Sequence, residues 1–229
     1  MNKVISFALI FLLLSSCGER KERYNIAGRI ENSDGIDSVT LACSPNGISL
    51  DKISTSAVVN GQFAFNGYIE NAGIAYICYD SHEHDVCSMF FLEKGDTEIF
   101  IDSTRLLAKG TPLNNLNNII DDSIKYYIAK LGIIEEQYYS YSLSDDEFAR
   151  LGAEGFNLQE RLVEYLRMTI QENAGNLLGL YMLVVYNDFF TPEELDRLIA
   201  QIPPSSIDRK NNPLYDIIVG IAQERKAWK

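Results

Sequence analysis

The sequence predicts an α+β protein, an antiparallel β-sandwich followed by an all-helical C-terminal segment. Two patterns and the composition carry that expectation. From residue 24 to 110, short runs alternate apolar with polar side chains and are divided by turn residues, the period-2 signature of half-buried strands. Beyond Thr111-Pro112, apolar residues recur at spacings of three and four, the period of helices. Of 229 residues, 46% are hydrophobic, 23% are charged and only 6 are proline, a composition that buries a core and is not that of a disordered chain.

Ahead of the strands, residues 1–16 read as a lipoprotein signal peptide. Asn2-Lys3 gives a positive start, and residues 4–14 form an apolar run broken only by Ser6. That run is too short to cross a bilayer as a helix, which takes about 20 residues. It ends in Leu14-Ser15-Ser16-Cys17, which resembles a bacterial lipobox, and the resemblance implies a diacylglycerol on the Cys17 thiol. Acyl chains add about 0.8 kcal/mol per buried CH2, enough in twos and threes for a stable membrane anchor. Residues 17–23 are charged and free of apolar side chains after the cysteine, so they are expected to form a solvated, lipidated tether. The tether's charges are mixed in sign and lack the acidic run that sends some lipoproteins to the cell surface. The expected location is therefore the cell envelope, on the outer membrane facing the periplasm.

In the strand-rich span, a β-sandwich domain at residues 24–110, strands are expected at residues 24–31, 38–44, 54–59, 62–69, 74–79, 87–93 and 97–102. Asn60-Gly61 between two alternating runs is the strongest hairpin signal, because both residues accept positive φ. Asn32-Ser33-Asp34-Gly35 and Asn46-Gly47 mark further turns.

In the helical domain at residues 111–229, Leu116, Ile120, Ile124, Tyr127, Leu131 and Ile134 form one apolar stripe, and Leu158, Leu162, Leu166 and Ile170 form a second. A short loop around residues 140–146 implies that the two helices pack antiparallel. Gly175 interrupts the pattern, and residues 177–186 are apolar nearly all round, as in a helix buried on several sides. Thr191-Pro192-Glu193-Glu194 is a capped helix start, and Pro203-Pro204 closes that helix. The last helix spans residues 213–227, with Ile217, Ile218 and Ile221 inward and Glu224, Arg225, Lys226 and Lys229 outward.

Acidic side chains outnumber basic ones by 32 to 20, and a surface of that sign repels phosphate backbones, so no nucleic-acid partner is expected. With Cys17 lipidated, Cys43, Cys78 and Cys87 remain, an odd number that in an oxidising compartment leaves a free thiol or an intermolecular bond. A hairpin centred between His82 and Glu83 sets Cys78 opposite Cys87, where they form either a disulfide or two buried thiols. His82 and His84 lie between them and supply, with the two cysteines, the ligand types of a soft metal, but the spacing suits a solvated hairpin tip better and no metal or other cofactor is expected. The pairs Asp121-Asp122, Glu135-Glu136 and Asp145-Asp146-Glu147 read as solvated faces and caps, and Tyr138, Tyr139 and Tyr141 as cover for a helix seam. No nucleophile elbow, Walker loop or dinucleotide fingerprint occurs.

The order of features resembles the domain of unknown function 4369 family, the amino-terminal domain of envelope thiol:disulfide interchange lipoproteins. The resemblance rests on the lipobox, Ile26-Ala27-Gly28-Arg29-Ile30, Val59-Asn60-Gly61-Gln62-Phe63-Ala64-Phe65-Asn66-Gly67, Phe90-Phe91-Leu92-Glu93-Lys94-Gly95 and Lys109-Gly110-Thr111-Pro112-Leu113-Asn114. Relatives continue into a thioredoxin fold with a Cys-x-x-Cys site. This sequence has no such motif and ends at Ala227-Trp228-Lys229, about where that domain would start. The expectation is a non-enzymatic module that binds or docks an envelope protein and touches the membrane through its Cys17 anchor. The alternative is a redox accessory working with a separate thioredoxin-like oxidoreductase.

Overall fold

Alternating runs become eight strands, and the three-and-four spacing becomes five α-helices, in the computed structural model, which describes residues 21–44, 49–80, 85–139, 143–204 and 212–227. The strands are β1 (Glu22–Ile30), β2 (Ser38–Cys43), β3 (Asp51–Ala57), β4 (Gln62–Ile69), β5 (Gly73–Asp80), β6 (Asp85–Leu92), β7 (Gly95–Ile101) and β8 (Leu106–Lys109). They form two four-stranded sheets, sheet A in the order β4-β1-β7-β8 and sheet B in the order β3-β2-β5-β6. The helices are α1 (Pro112–Tyr138), α2 (Asp145–Glu172), α3 (Leu177–Val185), α4 (Pro192–Ala200) and α5 (Pro213–Ala227).

The sandwich is not purely antiparallel: β1 and β7 run parallel, with Tyr24 opposite Gly95 and Ile30 opposite Ile101. Between them the chain passes through sheet B and re-enters sheet A beside β1 in the same direction. Alternation reports which face a residue takes and says nothing of strand direction. The expected tether is also shorter, because Glu22 and Arg23 already pair with Ile69 and Tyr68. Strand β8 was not expected at all. At Asn60 (φ 52°) and Gly61 (φ 75°) the tight turn forms as anticipated, closed by reciprocal backbone bonds of Val59 and Gln62 at 2.9 and 3.0 Å. The strands it joins belong to different sheets, however, so the turn folds one sheet over the other.

Inward positions of both sheets, among them Ile26, Leu41, Phe65, Ile77, Phe90 and Ile99, build the sandwich core. Phe63 lies over Gly28 and Tyr24 over Gly67, each aromatic ring filling the space its glycine partner across β1 and β4 leaves empty. A second core unites the helices through Ile120, Ile124, Leu162, Leu166, Ile170 and the α3 side chains. Helices α1 and α2 pack antiparallel as expected: Tyr138 stacks on Phe148 at 4.2 Å and Tyr127 meets Tyr165 at 6.0 Å.

Two helix details differ from expectation. Ser144 and Glu147 form a capping box, so α2 begins inside what reads as a loop. Arg225 is not turned outward: its guanidinium donates to the carbonyls of Asn187 at 2.7 Å and Phe190 at 2.9 Å, satisfying the open carbonyls of the chain after α3.

Strand β6 joins the two cores. Phe90 faces the sandwich and Phe91, its neighbour, faces the helices and meets Tyr181 edge-on at 5.5 Å. The outer edge of β6 at Phe91 is closed by one side chain. Asn114 Oδ1 accepts the Phe91 N–H at 2.9 Å, and its Nδ2 donates to the Phe91 carbonyl at 2.6 Å and to Thr111 Oγ1 at 2.8 Å. Thr111 offers α1 no side-chain cap of its own. Glu93 supplies it from the end of β6, Oε2 accepting the N–H groups of Leu113 at 2.9 Å and Asn114 at 3.3 Å. Gly110 (φ 101°) makes the turn into the helix, and a Cβ there would stand 2.3 Å from the Asp96 carbonyl oxygen.

Asn114→Ala strips both partners from a buried backbone N–H and C=O. An unsatisfied buried group costs about 1–3 kcal/mol, so the variant is expected to lose about 3 kcal/mol in urea unfolding. A loss under about 1 kcal/mol would show that the clamp is dispensable.

Candidate functional site

The outward face of sheet A is a trough. Register sets Ala64 beside Ala27 and Ala27 beside Glu98, which faces Lys109; in the adjacent row Gln62 neighbours Arg29, Arg29 neighbours Phe100, and Phe100 faces Leu107. Two exposed alanines side by side, Ala27 on the inner strand β1 and Ala64 on the edge strand β4, leave a depression among longer side chains, and the β3–β4 turn walls one side of it with Val59 and Asn60. The resulting concavity measures about 890 Å³. Val59 is 63% exposed at its rim, an apolar side chain with nothing over it among the described residues.

Apolar ground (Ala27, Ala64, Phe100, Leu107) with convergent Arg29, Glu98 and Lys109 is the composition of a binding surface. Both charge signs and an amide are offered within one trough, and the described residues lining it include no serine, cysteine or histidine.

At the other end of sheet B, Cys78 and Cys87 stand directly opposite each other and are bonded, with Cα atoms 4.1 Å apart. Cys87 is exposed and Cys78 half-buried. Cys43 is the free thiol and sits elsewhere on sheet B, opposite Ala75 on β5 and Asp51 on β3. Its pKa is raised, first by burial and then by the Asp51 charge, so its reactive thiolate is disfavoured.

His82, His84, Cys17 and Tyr141 lie outside the described residues. Among the described residues no cluster of three or more histidine, cysteine or acidic side chains has metal-site geometry. Tyr138 covers the α1–α2 seam, whereas Tyr139 is 70% exposed. Asp121 pairs with Lys125 at 2.6 Å, and Asp145, Asp146 and Glu147 occupy the first turn of α2, where negative charge favours the helix dipole.

The trough has no motif in the sequence. The available signal was small residues at Ala27 and Ala64 where outward strand positions ordinarily carry longer polar side chains. Finding the trough also requires the β1–β4 register that puts the two side by side.

Residues 24–117 match a family model described as Domain of unknown function (DUF4369). The match takes in the sandwich, the trough and the Glu93–Asn114 joint, and it ends within the first turns of α1. No curated protein matches the chain.

Alkylating the denatured, unreduced protein is expected to modify Cys43 but neither Cys78 nor Cys87, and reduction is expected to expose both. Peptide mass mapping reads the outcome, and labelling of Cys78 before reduction would refute the bond.

Proposed function

From a DUF4369 match covering residues 24–117, we propose that this protein is a non-enzymatic lipoprotein of the cell envelope, a docking module held by a lipid on Cys17 at the outer membrane and facing the periplasm. The observation that carries the reading is the trough on sheet A. It combines apolar ground, both signs of charge and about 890 Å³ of space on a rigid sheet. Cys17 stands five residues ahead of β1, which is an inner strand of sheet A. The alternative, a redox accessory to a separate thioredoxin-like oxidoreductase, is supported by the exposure of Cys87; Asp80 beside the bond works against it, since negative charge disfavours an attacking thiolate.

Cys17→Ser is expected to abolish lipid labelling and to shift the protein from the membrane to the soluble fraction. Unchanged membrane association would refute the anchor.

Photocrosslinking residues placed at Ala64 and Gln62 in living cells are expected to trap one discrete adduct, lost when Ala27→Trp fills the trough. The same probe at Lys125 on α1 is expected to stay silent. Equal adducts at all three positions would remove the trough from the reading.

A further inference from the structure

Strand β6 is the outer strand of sheet B, and its free edge is closed at one end only. Phe91 turns both backbone groups away from β5 to meet Asn114. The β5–β6 register is unbroken from Gly73 opposite Leu92 to Asp80 opposite Asp85, so the N–H and C=O of every second residue back from Phe91 point the same way. Those residues are Met89, Cys87 and Asp85. Among the described residues nothing accepts from or donates to the backbone of Met89 or Cys87.

Exposed edges are ordinarily blunted by lysine, proline, a bulge or a covering helix. Here α1 closes the edge at Phe91 through Asn114 and then lies beside β8, where Asn118 Nδ2 donates to the Ala108 carbonyl at 2.7 Å, and Cys87-Ser88-Met89 carries no charge, no proline and no bulge. The Cys78–Cys87 bond fastens the open part of β6 to β5 from the opposite end. An edge strand held at both ends keeps its backbone extended, which lowers the ordering cost of adding another strand.

We propose that this edge accepts an extended, Lys- or Arg-bearing segment of a partner protein as a fifth strand of sheet B. The backbone groups of Met89 and Cys87 supply the ladder, and alternate side chains of the incoming segment lie along the exposed disulfide. Charge selects the occupant. From Ile53 to Glu93 the sequence contains no lysine or arginine, and Asp80 ends β5 with Asp37 entering β2 at the same end of the sheet. A second copy of this chain carries the same net charge of −12 and is repelled, whereas a basic segment is attracted. This site is separate from the trough on sheet A, and its test does not depend on that reading.

The full chain in detergent is used to select binders from a phage-displayed library of random dodecapeptides, which are then synthesised and measured by fluorescence anisotropy. Two variants separate backbone from side chain. Met89→Ala keeps the edge N–H, while Met89→Pro removes it at a position where an edge strand tolerates proline. The selected peptides are expected to be rich in Lys or Arg, to bind Met89→Ala within about threefold of the unsubstituted chain, and to lose at least tenfold on Met89→Pro. On binding, the Met89 and Cys87 amides are expected to gain protection from hydrogen exchange, which stands as a second readout should Met89→Pro unfold. Acidic or uncharged binders, equal loss in both variants, or protection elsewhere would overturn the proposal. So would a dimer in sedimentation that Met89→Pro dissociates, since the edge would then belong to a second copy.

Discussion

One side-chain amide determines how the two halves of this protein meet. Successive residues of a strand point to opposite faces, so β6 serves as a wall shared by two cores, Phe90 in the sandwich and Phe91 among the helices. A wall shared in this way leaves its outer edge beside the helical layer, where unpaired backbone groups are costly. Asn114 meets that demand with the geometry of a neighbouring strand, offering one acceptor and one donor to a single residue. Because Asn114 lies in the first turn of α1, the bond that seals the sheet also sets where the first helix begins. Glu93 completes the exchange in the other direction, since the sheet's last carboxylate caps the helix. Neither element is satisfied without the other, and Gly110 is the residue whose φ brings them together.

Much of this architecture was legible where the physics is local. The apolar stripe Leu158, Leu162, Leu166 and Ile170 is buried throughout, and Thr191 with Glu194 forms the capping box its spacing implied. The β5–β6 hairpin has the register that sets Cys78 opposite Cys87, because a turn centre and a period of two leave no other pairing. Reading stopped where residues far apart in sequence supply the partner. Arg225 looks like an ordinary basic residue at a helix end, and only the fold brings the carbonyls of Asn187 and Phe190 within its reach. Direction was equally hidden: the parallel β1–β7 pair depends on the path through sheet B, which alternation along β1 does not encode. The trough on sheet A shares this property, being made from two alanines and a register.

The segments whose likeness to a family was visible in the sequence now have structural reasons. Gly28 and Gly67 receive the rings of Phe63 and Tyr24, Asn60-Gly61 folds one sheet over the other, and Glu93, Gly110, Thr111 and Asn114 form the joint. All of them specify how the sandwich closes and how it meets its first helix. The same segments also carry Ala27, Arg29, Gln62, Ala64 and Lys109 of the trough, whereas Cys87-Ser88-Met89 of the open edge lies outside them. Resemblance of this kind therefore covers the scaffold together with the trough on it, and it leaves the open part of β6 to positions outside the quoted segments.

The trough and the open edge of β6 differ in their electrostatics. The trough carries Arg29 and Lys109 against a single acid, Glu98, in a chain with net charge −12, whereas β5 and β6 lie in a span of the sequence that has no lysine or arginine. Electrostatics of this sort act mainly on encounter and orientation, while packing and backbone bonds set affinity. Under the proposed docking role, two surfaces of different charge on two different sheets would sort partners by sign before contact. Both surfaces also rest on parts of the fold that are rigid for reasons unrelated to binding. The trough spans the four paired strands of sheet A, and the open edge is held between the Asn114 clamp and the Cys78–Cys87 bond. Rigidity bought for stability is thereby available for recognition, since a surface that is already ordered loses little entropy when something docks on it.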